Sequence, residues 1–250
     1  MHRYFLEIAY KGTHYSGFQI QKNAITIQSE VEKALQIFFK QNIPLTGSSR
    51  TDAGVHAKQN FFHFNFNREI ATADIYHLNA ILPTDITVKA IVEVASQAHC
   101  RFSAISRLYE YYLYQAKDPF KEDRAWYYPY ALDNNLLNEA AGVLMQYQNF
   151  ASFSKQNTQV NNYICHIQHS QWSQREGMMV YSVKANRFLR GMVRGLVGTM
   201  LKVARHKITI ENFKHIIESG DASKANFATP AHGLFLAEVN FPQEIFSAAN

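Results

Sequence analysis

Two kinds of hydrophobic spacing take turns along this chain of 250 residues, and that alternation restricts the fold more than any other feature. Arg3 to Tyr10 has the period of a strand, with Tyr4, Leu6 and Ile8 on one side. Gln28 to Phe39 sets Val31, Leu35, Ile37 and Phe38 among Glu and Lys, the pattern of an amphipathic helix. Asn60 to Asn67 returns to period two through Phe62, Phe64 and Phe66 and reads as a half-buried strand. Ala73 to Leu82 is expected to be a short helix stopped by Pro83, and Ile86 to Val94 a further strand.

Near Ala104 the pattern starts again. Leu108 to Gln115 reads as a tyrosine-rich strand, followed by a loop with Asp118-Pro119 and Pro129. Asp133 suits the N-cap of a helix running to Gln148. Ile164 to Trp172 and Met178 to Ala185 form an expected hairpin around Arg175-Glu176-Gly177. Helices are expected over Phe188 to Arg205 and Thr209 to Ser219, and a closing strand over Leu234 to Phe241. No Gly/Ser or Pro-rich linker separates the halves, and no repeat is visible. The expectation is an α+β protein. Two ferredoxin-like-sized subdomains with antiparallel sheets, residues 1–104 and 105–250, would form a central cleft, the default place for a site.

Composition narrows the function class. With 47% hydrophobic and 18% charged residues, a packed core is within reach and wholesale disorder is not expected. No apolar run approaches the roughly 18 residues that cross a bilayer, and Glu7 interrupts any signal-peptide core. Cys100 and Cys165 do not form a metal-type pair or a disulfide framework, so a reducing, cytoplasmic setting without a membrane is expected. A net charge of +5 permits a polyanionic partner such as RNA, which Tyr beside Arg would suit.

The richest chemistry lies in Gly47-Ser48-Ser49-Arg50-Thr51-Asp52-Ala53-Gly54-Val55-His56-Ala57. Its small residues let other segments approach the backbone, and among them stand one cation and one carboxylate. A carboxylate near a guanidinium is held ionised and can attack carbon. In an extended segment Arg50 and Asp52, two apart, point to one side. The same stretch also reads as a polar turn with a solvated arginine. Asp52, His56 and His63 admit a metal reading, but their spacing matches no familiar ligand pattern, so no metal is expected.

Arg50 to Ala57, with Gly47 three residues before Arg50, resembles the signature of the TruA family of tRNA pseudouridine synthases. Tyr10-Lys11-Gly12, Tyr15-Ser16-Gly17-Phe18-Gln19 and Thr26-Ile27-Gln28 resemble that family's N-terminal segments. Arg101-Phe102-Ser103-Ala104 and Arg107-Leu108-Tyr109-Glu110-Tyr111 resemble its central motif. Lys184-Ala185-Asn186, Phe188 to Arg194, and His232-Gly233-Leu234-Phe235-Leu236 resemble its C-terminal helix and closing motif. Three positions depart from the family pattern: Phe18 stands where Trp is usual, Ser49 near a common Gly, and Asn60 where a hydrophobic residue is usual.

The resemblance implies a pseudouridine synthase fold and isomerisation of uridine to pseudouridine in the anticodon stem-loop of tRNA, at positions 38 to 40. It implies no cofactor, and a homodimer. Asp52 matches the family's essential aspartate and Arg50 the arginine two residues before it, which would orient Asp52 or fill the gap left by a flipped uridine. Tyr109 matches the active-site tyrosine and would stack on the base; Arg194 matches the cation nearest the aspartate, and Leu236 falls among the substrate contacts. Among the tyrosines of this strand, Tyr109 and Tyr111 share one face and Tyr112 and Tyr114 the other, so one pair is expected to face the cleft.

The expected helix after Ala185 speaks for RNA binding from its own residues. At 100° per residue, Arg187, Arg190, Arg194, Lys202 and Arg205 fall within an arc of roughly 120°. Gly191, Gly195 and Gly198 lie on or beside that arc. Glycines inside a helix cost roughly 1 kcal/mol each relative to Ala, which points to a basic face thinned for a phosphate backbone. A non-catalytic RNA-binding protein would use the same face, but a carboxylate at Asp52 close to phosphates would only repel them.

Overall fold

A computed structural model of the chain describes residues 1–155 and 162–246. In chain order the elements are β1 (His2–Tyr10), α1 (Ile27–Phe39), β2 (Thr46–Gly47), β3 (His56–Phe66), α2 (Thr72–Ile81) and β4 (Ile86–Val94). There follow β5 (Ser106–Tyr114), β6 (Trp126–Tyr127), α3 (Asn134–Val143), β7 (Ile167–Arg175), β8 (Met178–Ala185), α4 (Met192–Ala204), α5 (Ile210–Ser219) and β9 (Leu234–Asn240). They form two compact units: Met1–Ser106 together with the chain from Phe235 onward, and Arg107–Leu234. The expected second subdomain, 105–250, therefore gives up its last stretch, because β9 runs parallel to β3 with His56 opposite Phe235 and Ala57 opposite Leu236.

In the first unit β1 lies between β4 and β3, antiparallel to both, and β2 pairs with β3 at Thr46 and Gly47. This is the order of a split βαβ arrangement. Helix α1 begins at Thr26 because Thr26 Oγ1 accepts the Ser29 N–H (3.2 Å) while Ser29 Oγ accepts the Thr26 N–H (3.0 Å), a reciprocal cap. Its apolar stripe, Ile27, Val31, Ala34, Leu35 and Phe39, is buried, and Phe39 meets Phe66 of β3 at 4.8 Å between ring centres. Helix α2 is tied to β4 through Asn79, whose side chain bonds the Val88 N–H and C=O at 2.8 and 2.9 Å. The sheet's other face is covered by Phe241, 5.1 Å from Phe5 and 5.0 Å from Phe61. Strand β3 starts at His56 rather than Asn60, and Phe61, Phe62, His63 and Phe64 are all buried. The expected half-buried strand is thus buried on both faces, which is why consecutive apolar residues interrupt its alternation.

In the second unit β8 pairs antiparallel with β5 and β7, setting Tyr181 opposite both Tyr111 and Trp172, and β6 runs parallel to β5. Asp133 caps α3 as expected, accepting the N–H groups of Asn135 (2.9 Å) and Leu136 (3.1 Å). Asn138 of α3 accepts the Trp172 N–H of β7 at 3.0 Å. Buried Glu110 of β5 takes hydrogen bonds from Arg175 (2.7 Å) and Tyr112 (2.6 Å), locking the hairpin to its neighbour strand. Helix α4 is buried along most of its length. No helix among the described residues is long and apolar enough to cross a membrane.

Candidate active site

The loop between β2 and β3 is held by its inward-facing residues. Ser48, Ser49, Thr51 and Val55 are buried, whereas Arg50 is exposed and Asp52 half-buried, so the two charged positions lie on the outer side of the segment. Each anchor comes from a distant part of the first unit. The Ser48 N–H donates to Phe61 O (2.8 Å), and the Asn60 side-chain amide donates to Ser49 O (2.8 Å) and to the Tyr10 hydroxyl (3.2 Å). Tyr10 in turn bonds Thr51 Oγ1 at 2.8 Å. The Phe18 N–H donates to Thr51 O at 3.1 Å.

Past Asp52 the chain turns sharply. The Val55 N–H donates to Asp52 O (3.2 Å), with Gly54 at φ 78°, where a side chain would be strained. The motif glycines before α1 permit loop-on-loop packing: a Cβ on Gly12 would lie 2.0 Å from Val55 O, and one on Gly17 3.0 Å from Thr51 O. The three departures from the family pattern serve this frame. Phe18 is buried and stacked on Phe62 (4.6 Å, 12°), Ser49 supplies the carbonyl that Asn60 grips, and Asn60 is fully buried with its amide satisfied. Sequence reasoning noticed Asn60 as an oddity but missed its role; a buried-type strand position occupied by an amide was the signal.

Leu236 is fully buried in register with Ala57, at the exit of the same loop. His56 and His63 serve separate places. His56 Nδ1 accepts the Gly12 N–H (3.0 Å), and its ring lies 4.5 Å from Phe235. His63 instead joins His99 and Cys100, whose ligand-type atoms all lie within 4.8 Å of one another. Several of these atoms are engaged in hydrogen bonds. His63 Nδ1 lies 3.2 Å from Cys100 Sγ, Cys100 Sγ donates to Thr46 O (3.1 Å), and His99 Nδ1 accepts the Arg101 N–H at 3.2 Å. Burial, then the neighbouring His99 and Arg3, hold the His63 imidazole down to about 4. The cluster reads as a neutral hydrogen-bonded knot of the core.

The remaining expected site residues belong to the second unit. Tyr109 on β5 is half-buried and meets Phe188 edge-on, 4.9 Å between ring centres. Tyr111, on the same strand face, does not share its exposure: it is fully buried and donates to Pro230 O at 2.8 Å. Tyr111 packs tightly over Gly233, where a Cβ would lie 2.7 Å from its ring. Burial raises the Tyr111 phenol, with the charge of Arg194 acting the other way. Arg194 is fixed by reciprocal bonds: its Nε donates to Thr229 O (2.7 Å), and the Thr229 hydroxyl donates to Arg194 O (2.8 Å).

The single basic helix face is corrected too. Helix α4 starts at Met192 behind Gly191, which sits at φ 75°, so Arg187 and Arg190 precede the helix. Gly195 and Gly198 are buried, and a Cβ on them would meet the Phe227 ring at 2.8 Å and Asn226 O at 2.2 Å. The glycines admit the segment 226–229, not a phosphate backbone. Arg205 caps the far end of α4, its guanidinium 3.8 Å from the Tyr130 ring centre and its Nη1 3.4 Å from the Tyr128 hydroxyl.

The Asp52 carboxylate thus sits half-buried in a small-residue loop that is pinned at Ser48, Ser49 and Thr51. Two stretches, 8–103 and 147–242, match the family model described as tRNA pseudouridine synthase. The chain is 44% identical over 248 residues to the tRNA pseudouridine synthase A of Parabacteroides distasonis, covering 98% of each chain. It is 43% identical to that of Bacteroides thetaiotaomicron, covering 99% of this chain and 93% of the relative. A more distant relative, the enzyme of that name from Staphylococcus aureus, is 35% identical over 95% of this chain and 90% of its own length. The chain therefore belongs to the tRNA pseudouridine synthase family of isomerases.

Proposed function

We propose that this isomerase converts uridine to pseudouridine in the anticodon stem-loop of tRNA, at positions 38 to 40, with Asp52 as the nucleophile. The observation that carries the reading is Asp52 itself: a half-buried carboxylate whose loop is held on both sides by buried residues, in a chain of this family. The reaction breaks the C1′–N1 bond, turns the base and joins C1′ to C5. The C5 proton leaves and N1 gains one, so nothing is oxidised and no cofactor is required.

In this reading Asp52, Arg50, Tyr109 and Arg194 each take part in the conversion of uridine. Asp52 attacks the sugar or the base, or abstracts the C2′ proton. Arg50, exposed beside it, orients the carboxylate or fills the place of the flipped base. Tyr109 offers its ring face to that base, and Arg194 supplies positive charge. Arg187, Arg190 and Arg205 contact phosphates, Leu236 backs the loop, and the protein works as a cytoplasmic homodimer sharing one tRNA. The test uses tRNA transcripts carrying C5-tritiated uridine at only one of the three positions. Tritium released to water from at least one position is expected; folded protein that releases none contradicts the proposal.

A further inference from the structure

A concave pocket of about 220 Å³ opens in the first unit beside the Asp52 loop, lined among others by Phe18, Gln19, Arg50, His99, Arg101 and Phe102. None of its lining residues is Asp or Glu, and two are arginines. Phe102 is 76% exposed, although a phenyl ring gains roughly 1.5–3 kcal/mol from burial. Its ring lies 4.3 Å from the His99 ring, and the Arg101 guanidinium sits 5.6 Å over it. An exposed phenyl ring set against a half-buried imidazole, with cations at a pocket mouth, suits a surface that stacks on a ligand ring. The volume is below the roughly 300–1,000 Å³ of pockets that enclose whole small-molecule ligands, so it suits a single ring system. Arg50 ties the pocket to the proposed catalytic loop.

We infer that this pocket receives one unpaired nucleobase of the RNA, a neighbour of the target uridine on the same strand, stacked on Phe102 with Arg50 and Arg101 facing its phosphates. The inference rests on the uridine-isomerase reading and adds a specificity subsite to it. A base within a duplex is stacked on both faces by its neighbours; only a splayed nucleotide can lie against Phe102. His99 is kept neutral by burial, so its ring adds stacking surface without attracting phosphate away from the arginines.

The test places 2-aminopurine at one loop position at a time in an anticodon stem-loop RNA and follows its fluorescence on binding. One position is expected to be quenched by the wild-type protein. Phe102→Ala should abolish that quenching and raise KM about tenfold with kcat little changed, and Phe102→Tyr should retain both properties. The melting temperature of Phe102→Ala should match wild type, because the ring is exposed. Identical quenching in wild type and Phe102→Ala, or an unchanged KM, overturns the subsite. Pseudouridine formation by the wild type is measured on the same RNAs. If the wild type modifies the RNA and Phe102→Ala behaves identically, the subsite alone fails; if the wild type modifies none, the function reading fails instead.

Discussion

Asn60→Leu tests how the Asp52 loop is held. The substitution keeps the number and branching of the side-chain heavy atoms, with a somewhat bulkier, wholly apolar end. It removes three hydrogen bonds: the amide to Ser49 O (2.8 Å), the amide to the Tyr10 hydroxyl (3.2 Å), and the Phe61 N–H to Asn60 Oδ1 (2.8 Å). At about 1 kcal/mol net for each, the loss is about 3 kcal/mol. A better-buried apolar side chain returns about 1 kcal/mol, leaving about 2 kcal/mol and a fall in Tm of about 6 °C for a chain of this size. The larger effect is on geometry. Ser49 loses its tie to β3, and Thr51 on the other side of Arg50 keeps only a Tyr10 partner that Asn60 no longer steadies, so kcat should fall about tenfold with KM within about twofold. Tyr10→Phe breaks the same bracket at its Thr51 end, so the double variant should be less impaired than the two single effects added together. Thermal unfolding and single-turnover pseudouridine formation measure both quantities. A variant with wild-type kcat, or strict additivity with Tyr10→Phe, refutes the reasoning.

Three other outcomes follow from the packing. Native His63 binds its proton only near pH 4, whereas the unfolded chain binds it near 6.5, so stability is complete above pH 6.5 and declines by about 3 kcal/mol on going down to pH 4. Denaturant unfolding across that window should show a clearly shallower decline in His63→Leu, and an equal slope would rule out His63 as the cause. Gly198→Ala pushes a methyl group to within 2.2 Å of the Asn226 carbonyl and should cost about 2 kcal/mol, read as a lower denaturation midpoint. Gly142→Ala, within α3 and with nothing inside 4 Å of the added carbon, should instead stabilise by up to about 1 kcal/mol; destabilisation there would contradict the helix-propensity argument.

Much of the fold could be read from spacing alone, because burial acts through period. β1, α1, β4 and the β7–β8 hairpin lie within a few residues of their expected bounds, and Asp133 caps the helix it was expected to cap. The failures share a cause: the deciding contacts are remote in sequence. The wheel for α4 assumed a helix running through Gly191 and open space beside its glycines; a left-handed residue and the segment 226–229 removed both conditions. β2 and β6, two residues each, are too short to carry a period. In the candidate site, residue types and a family resemblance named Asp52, Arg50 and Tyr109. The Tyr10–Thr51 and Asn60–Ser49 bonds join positions 41 and 11 apart, which no local pattern records.

The central claim is that Asp52 performs chemistry. Wild-type and Asp52→Ala proteins, each shown to be folded, are compared on one tRNA transcript by pseudouridine formed in a single turnover and by RNA binding. Wild type should convert the uridine, whereas Asp52→Ala should bind the RNA within about twofold and convert it at least about a thousandfold more slowly. Pseudouridine formed by Asp52→Ala at the wild-type rate would contradict the assignment.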